Sequence, residues 1–260
     1  MEWGLANRMS KLFGEDGNCF YLAMDHGYFQ GPTHGLEKPA QTLAPLAPYV
    51  DAVFVPRGTL RAAIAPTIKN SIILRVSGGN SMAGEDLSNE NVTVSIDEIL
   101  RLNVSAVGYS TYIGSKHEHQ TLLGLSTLVN MCAPYGIPVM AVTAVGRELD
   151  QKQETRFLAL ACRICAEAGA HVVKTYYTKD FGKVVEGCPV PVVIAGGPKT
   201  DNQLDVLKFV HDGMQRGARG VNLGRNIWQD ANPVGMARAL RAVIHAKASP
   251  EQALELYRSS

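Results

Sequence analysis

The sequence contains no apolar run near the roughly 20 residues that a membrane-spanning helix requires. Its opening stretch, "MEWGLANRMSKLFGEDG", lacks an apolar h-region, so no secretory leader is expected. It also lacks a charge imbalance. The 25 Lys and Arg residues nearly cancel the 24 Asp and Glu, leaving a net charge of +1, too little for a broad field toward nucleic acid or an anionic membrane. Any anion must therefore be caught by a local site. Cysteine is scarce and odd in number: Cys19, Cys132, Cys162, Cys165 and Cys188. That argues against a disulfide framework and for a reducing compartment, the cytoplasm. No linker, low-complexity tract or repeat interrupts the chain. At 260 residues, 46% of them hydrophobic, it reads as one domain over 1–260, with 1–18 as an N-terminal extension.

What the chain does have is alternation. Short β-branched runs fall at 19–25, 52–55, 71–77, 104–110, 138–143, 171–176, 190–196 and 220–224. Most are continuously apolar, as parallel strands covered on both faces must be. Helical patterns lie between them at 123–136, 150–169, 201–217 and 232–247, three of them stopping at Gly136, Gly169 and Gly217. Eight strands alternating with helices predict an α/β fold, a single (β/α)8 TIM barrel. An open doubly wound sheet is the competing architecture.

In such a barrel, chemistry collects at the C-terminal ends of the strands. Those of strands 7 and 8 carry Gly196-Gly197 and Gly224-Arg225. Glycines there let backbone N–H groups approach a phosphate, the following helix starts add a positive dipole, and Arg225 adds a charge-assisted fork. The plainer explanation is tight turns. On strand 6, Val172, Lys174 and Tyr176 share one face. If that face points inward, the Lys174 amine is desolvated, its pKa falls, and it can attack a carbonyl to form an imine. A snorkelling or phosphate-binding lysine would look the same in sequence. Asp25 and His26, at the end of strand 1, offer acid–base capacity, though a capping carboxylate and a structural histidine are as ordinary. The polar stretch 78–93 after strand 3 is placed to cover the site or to be an exposed loop.

Two other patterns suggest metals less well. Cys162 and Cys165 form a lone C-x-x-C in a helix without the further ligands zinc needs. His117 and His119 are spaced for a loop rather than one helical face. The expectation is no metal.

Several motifs, "AMDHGYFQGPTHGLE", "LSNE", "YIGSKHEHQ", "VVKTYY", "GCPVPVVIAGG" and "GRNIWQ", resemble the class I aldolase family of the archaeal fructose-bisphosphate aldolase and autoinducer-2 processing type. The likeness runs from residue 19 to "LELY" near the end. It implies a TIM barrel, an imine-forming lysine at Lys174, a strand 1 aspartate at Asp25, an acid–base histidine at His26, and a phosphate grip at Gly196, Gly197, Gly224 and Arg225. It also implies homo-oligomers, ring-based decamers among them. One departure matters. The archaeal aldolases place an acid–base tyrosine at the end of strand 5, where this chain has Thr143 and Ala144. That favours the branch in which an acetyl group passes from a phosphorylated 3-hydroxy-2,4-diketone to coenzyme A as co-substrate, over aldol cleavage of a sugar phosphate such as fructose 1,6-bisphosphate. Whether Lys174 would act by an imine or by taking up the acetyl group stays open. Arg57 and Arg147 are further candidates for holding substrate.

Overall fold

The computed structural model of the chain describes residues 2–144 and 154–259. Eight strands, β1 (Cys19–Ala23), β2 (Ala52–Pro56), β3 (Ser71–Arg75), β4 (Ala106–Thr111), β5 (Val139–Thr143), β6 (Val172–Tyr176), β7 (Val192–Ala195) and β8 (Gly220–Leu223), close into a barrel. Each pairs in parallel with its sequence neighbours, and β8 pairs with β1. Each sequence-predicted strand is present, with ends that shift by at most two residues, more often shortened than lengthened. Strand 3 shows why: after Arg75 the chain turns aside, and Ser77–Gly78 pairs antiparallel with Asn91–Val92.

Alternation along the strands sorts the core into two sets. Phe20, Leu22, Val53, Val55, Leu74, Val107, Val139, Val173, Ile194 and Val221 face outward and pack under the helices. Cys19, Tyr21, Ala52, Phe54, Ile73, Ala106, Met140, Val172 and Val193 fill the interior. Inward residues of alternate strands fall into layers of four, as barrel geometry requires. Following the strand registers around the barrel, Phe54, Gly108, Lys174 and Asn222 share one layer. Ala23, Arg75, Val142 and Ala195 form the layer above it.

The N-terminal extension has a structural task. Its helix Trp3–Ser10 leads into Leu12, which is buried among the interior set with Met9 and Phe13 against it. This plug closes the end of the barrel opposite the strand C-termini. Nearby, Gly220 (φ +146°) lies so close to β1 that an added Cβ would overlap the Cys19 carbonyl, so no other residue fits there.

The anticipated helices occur at Glu118–Cys132, Thr155–Glu167, Gln203–Gln215 and Pro233–His245. Gly136, Gly169 and Gly217 all adopt positive φ, as C-terminal stops do. The first of these helices begins five residues early, because "EHQT" supplies its opening turn. Helices at 39–46, 57–63, 96–101, 181–186 and 250–258 are too short for periodicity to announce. Two of them carry a legible cap, with Ser95 accepting from the Glu98 N–H and Ser249 forming a capping box with Gln252.

Candidate active site

At the C-terminal mouth, strand ends and loops enclose a cavity of about 360 Å³. Its floor is the layer holding Lys174 and Asn222, its wall includes Ala23, Arg75, Val142 and Ala195, and its rim includes Asp25, His26, Ser110, Tyr176, Gly224 and Arg225. The 78–93 stretch contributes Asn80, Met82 and Leu87, so it does border the site.

Lys174 points inward from β6, 9% exposed. Its Nζ lies 5.3 Å from the centre of the Phe54 ring across the barrel. Burial pulls its pKa down to about 8; Asp25 opposes that shift, and Arg75 and Arg225 add to it. An accessible fraction of neutral amine at neutral pH is what a nucleophilic lysine needs. The face shared by Val172, Lys174 and Tyr176, whose direction the sequence left open, is the inward one.

Asp25 and His26 follow β1. His26 Nδ1 stands 3.8 Å from Asp25 Oδ1 and has no hydrogen-bond partner among the described residues. Burial lowers its pKa to about 4, with Asp25 opposing and Lys174, Arg225 and Arg75 reinforcing. The imidazole is thus neutral and able to accept a proton. Its ring packs edge-on against Trp228, 5.3 Å between centres, and Trp228 Nε1 donates to the Ala23 carbonyl at 2.9 Å. A Cβ on Gly224 would meet both that carbonyl and the His26 ring at 2.8 Å. Gly224 is therefore required by packing whatever else it does.

The structure brings Gly196, Gly197, Gly224 and Arg225 together on one side of the mouth. Arg225 Nη2 donates to the Gly197 carbonyl at 2.9 Å, and its buried Nε has no partner among the described residues. Asn226 braces this corner: its amide donates to the Gly196 and Pro198 carbonyls, and its Oδ1 accepts from the Thr200 N–H. The expected dipole contribution needs correction. The helix after β7 begins only at Gln203, capped by Asn202, and the one after β8 is a single turn, Arg225–Trp228. This corner therefore presents Arg225 and loop backbone, without a long helix terminus.

A buried ionic network that sequence reasoning missed holds the opposite wall. Arg75 Nη1 donates to Asp25 Oδ2 at 3.2 Å, and Nη2 donates to Glu90 Oε2 at 2.9 Å, to Ser110 Oγ at 2.7 Å and to the Tyr28 hydroxyl. Glu90, fully buried, also accepts from Ser77, Tyr28 and Tyr112. Burial opposes the Arg75 charge, but Tyr28, Glu90 and Asp25 hold it far more firmly protonated than a free guanidinium. The signal was available: Arg75, like Lys174, is a charged residue in a strand run.

A model of the DeoC/LacD family aldolases matches residues 19–230. The chain belongs to that family. Among curated members of this aldolase family it is 44% identical, over its whole length and 88% of theirs, to 3-hydroxy-5-phosphonooxypentane-2,4-dione thiolase of Escherichia coli (strain K12). It is 45% identical to an uncharacterised aldolase of Pasteurella multocida, over 99% of this chain and 88% of that one. A crystal structure of an archaeal fructose 1,6-bisphosphate aldolase superposes with a TM-score of 0.83 at 29% identity, covering 93% of this chain and 99% of that one. Another archaeal aldolase, described with its catalytic Lys covalently bound to the carbinolamine intermediate, superposes with a TM-score of 0.82 at 28% identity, covering 92% and 99%.

Within the aldolase frame, the departure on strand 5 is physical. Thr143 turns its hydroxyl outward to Thr175 Oγ1 at 2.8 Å, and the inward residue beside Lys174 is Val142. Neither offers an acid to the cavity. Arg57 pairs with Glu98 at 2.9 Å and does not line the cavity; Arg147 lies outside the described residues. His117 pairs with Asp86 at 3.5 Å while His119 is exposed, and no group of three or more His, Cys, Asp or Glu converges among the described residues. No helix among them is long and apolar enough to cross a membrane. All five cysteines are free and buried. Cys188 precedes β7, at the end of the barrel away from the mouth, with Sγ 3.7 Å from the Cys162 carbonyl. Cys188→Ser is expected to keep turnover within about twofold; a loss of tenfold or more in a steady-state assay would place a thiol in the chemistry.

Proposed function

We propose that the protein transfers the acetyl group of 3-hydroxy-5-phosphonooxypentane-2,4-dione to coenzyme A, releasing dihydroxyacetone phosphate. The observation that carries this reading is the desolvated Lys174 amine, set on the cavity floor between an anion corner and a neutral histidine. The full-length likeness to proteins bearing the thiolase name supports the choice of substrate.

In this reading Gly196, Gly197, Gly224 and Arg225 hold the phosphate, which positions the nearer ketone, C4, over Lys174. The neutral amine adds to C4, and loss of water leaves a protonated imine. His26, assisted by Asp25, takes the proton of the coenzyme A thiol, and the thiolate adds to C2. The tetrahedral adduct collapses with cleavage of C2–C3. The thioester departs, and the electron pair on C3 is accepted by the imine as an enamine. Protonation at C3, by the proton His26 took up, and hydrolysis return the amine and release dihydroxyacetone phosphate. Overall the thiol hydrogen ends on C3 and the acetyl group on sulfur. The outward turn of Thr143 supports a histidine, not a strand 5 hydroxyl, as the proton carrier.

Formation of acetyl-coenzyme A and dihydroxyacetone phosphate from the diketone, dependent on coenzyme A, is the direct test. Coenzyme A-independent release of an aldehyde from a sugar phosphate would instead identify an imine-forming aldolase. The pH profile is a second test. Lys174 reacts only as the free amine, so below its pKa of about 8 the rate of imine formation should rise about tenfold per pH unit and level off above it. His26, neutral above about 4, should add no limb between pH 6 and 9. A flat profile from pH 6 to 9 would exclude the free amine as the attacking group.

A further inference from the structure

We infer that Asn222 is a catalytic residue whose Oδ1 accepts a hydrogen bond from the Lys174 nitrogen once that nitrogen belongs to a protonated imine. The assignment rests on the imine reading above and adds to it a group on β8.

Three observations carry it. Asn222 shares a layer with Lys174, and the other two members are Gly108, which has no side chain, and Phe54. Asn222 is therefore the only other polar side chain in that layer among the described residues. It is 1% exposed yet borders the cavity. Its amide nitrogen has only the weak acceptor Met140 Sδ, at 3.9 Å, and its Oδ1 has no partner among the described residues. A buried acceptor left unpaired costs about 1–3 kcal/mol, and native interiors rarely keep one without a use. Packing gives no reason for it, because the layer below is built from Tyr21, Ile73, Met140 and Val193, and a leucine would fill the position at lower cost.

The reaction supplies the missing donor. When the amine adds to a ketone, the carbonyl oxygen leaves as water, carrying one proton from the amine and one from the medium. The nitrogen keeps one N–H and gains a positive charge. Within that layer Phe54 offers a ring face and Gly108 nothing, so Oδ1 of Asn222 is the acceptor the layer supplies, with the Asp25 carboxylate above it. The charged groups acting on Lys174 are Asp25 after β1, Arg75 on β3 and Arg225 after β8, with His26 beside Asp25, and the titratable Tyr176 on β6, Tyr28 and Tyr112 border the same cavity.

Borohydride trapping of dihydroxyacetone phosphate on Lys174, followed by intact mass across pH 6–10, tests the assignment in wild type, Asn222→Leu and Asn222→Asp. The leucine variant should trap about ten- to a hundredfold more slowly, as expected for a lost hydrogen bond to a charged group, while binding inorganic phosphate as wild type does. The aspartate variant restores an acceptor but sets a carboxylate beside the amine, so its trapping midpoint should move up by about one pH unit or more. The shift shows that position 222 lies within electrostatic reach of the amine, and slower trapping in the leucine variant with phosphate binding intact separates an acceptor role from a structural one. Wild-type trapping rates in the leucine variant, or an unmoved midpoint in the aspartate variant, would overturn the assignment. If the leucine variant does not fold, Asn222→Ala takes its place, and an unmoved aspartate midpoint still overturns the assignment. A wild-type protein that binds phosphate and yields no adduct would overturn the imine reading and this assignment together; an adduct in wild type with unaltered variants overturns this assignment alone.

Discussion

Lys174→Met should give a folded barrel that still binds phosphate and turns over almost nothing. The rate loss should reach about 10⁴-fold or more, at least ~5.5 kcal/mol of barrier, because the covalent intermediate is lost outright. Stability should not suffer. At neutral pH the native site holds an ammonium that burial disfavours, since its pKa falls to about 8, and methionine fills similar space beside Phe54 with no charge to desolvate. The melting temperature should therefore equal or exceed that of wild type. The decisive measurement pairs turnover with inorganic phosphate binding on the same preparation. Retained turnover would eliminate Lys174 both as imine former and as acyl acceptor. Lost phosphate binding would mean that the lysine serves as a point charge for the anion.

Arg75→Met should have the largest effect on stability. It strips Glu90, which is fully buried, of its cationic partner, and leaves Asp25 without its guanidinium. Removing one member of a buried pair typically costs about 3–5 kcal/mol. Urea unfolding should register a drop of that size in the wild-type background. The double variant Arg75→Met/Glu90→Gln should recover about 1–3 kcal/mol relative to the sum of the single changes, as interacting partners do. An unfolding midpoint equal to wild type would mean that the network is solvated and contributes little. Activity should fall as well, because Asp25 and Ser110 both take their positions from Arg75.

The barrel was legible because its strands are covered on both faces. A run such as "SIILRVS" or "VPVVIAG" has no polar side, and that alone implies parallel strands under helices. Lys174 stood out for the same reason: a charge on the inward face of an apolar strand must either be satisfied or react. Asp25, His26, Gly196, Gly197, Gly224 and Arg225 were reached as residues at strand ends, and they do surround one cavity. The Arg75 network was not anticipated, because its members come from the segment after β1 (Asp25, Tyr28), β3, the 77–90 stretch, and the end of β4 with the residue after it (Ser110, Tyr112), up to 87 residues apart from Asp25 to Tyr112. Only barrel closure brings them together. Asn222 was hidden for a different reason. Nothing in "GVNLG" says that its amide oxygen goes unpaired; that appears only when every neighbour has been placed. The dipole expectation failed at the strand 7 end because a glycine pair shows where a turn is, but not how many residues follow before the next helix begins.

Gly108 gives this site an unusual control point. A Cβ there would lie 2.4 Å from the Phe54 ring, so the ring occupies the room that a side chain on β4 would need, and the same ring faces the Lys174 amine. The amine's surroundings are thus governed partly by a residue that contributes no atoms to the cavity. Alanine at 108 would act as a lever, pushing the aromatic face against the nitrogen or tipping it aside to admit water, without touching any group that handles substrate. In the evolution or redesign of this barrel, reactivity can be tuned by volume alone, from a strand two removed from the one that carries Lys174.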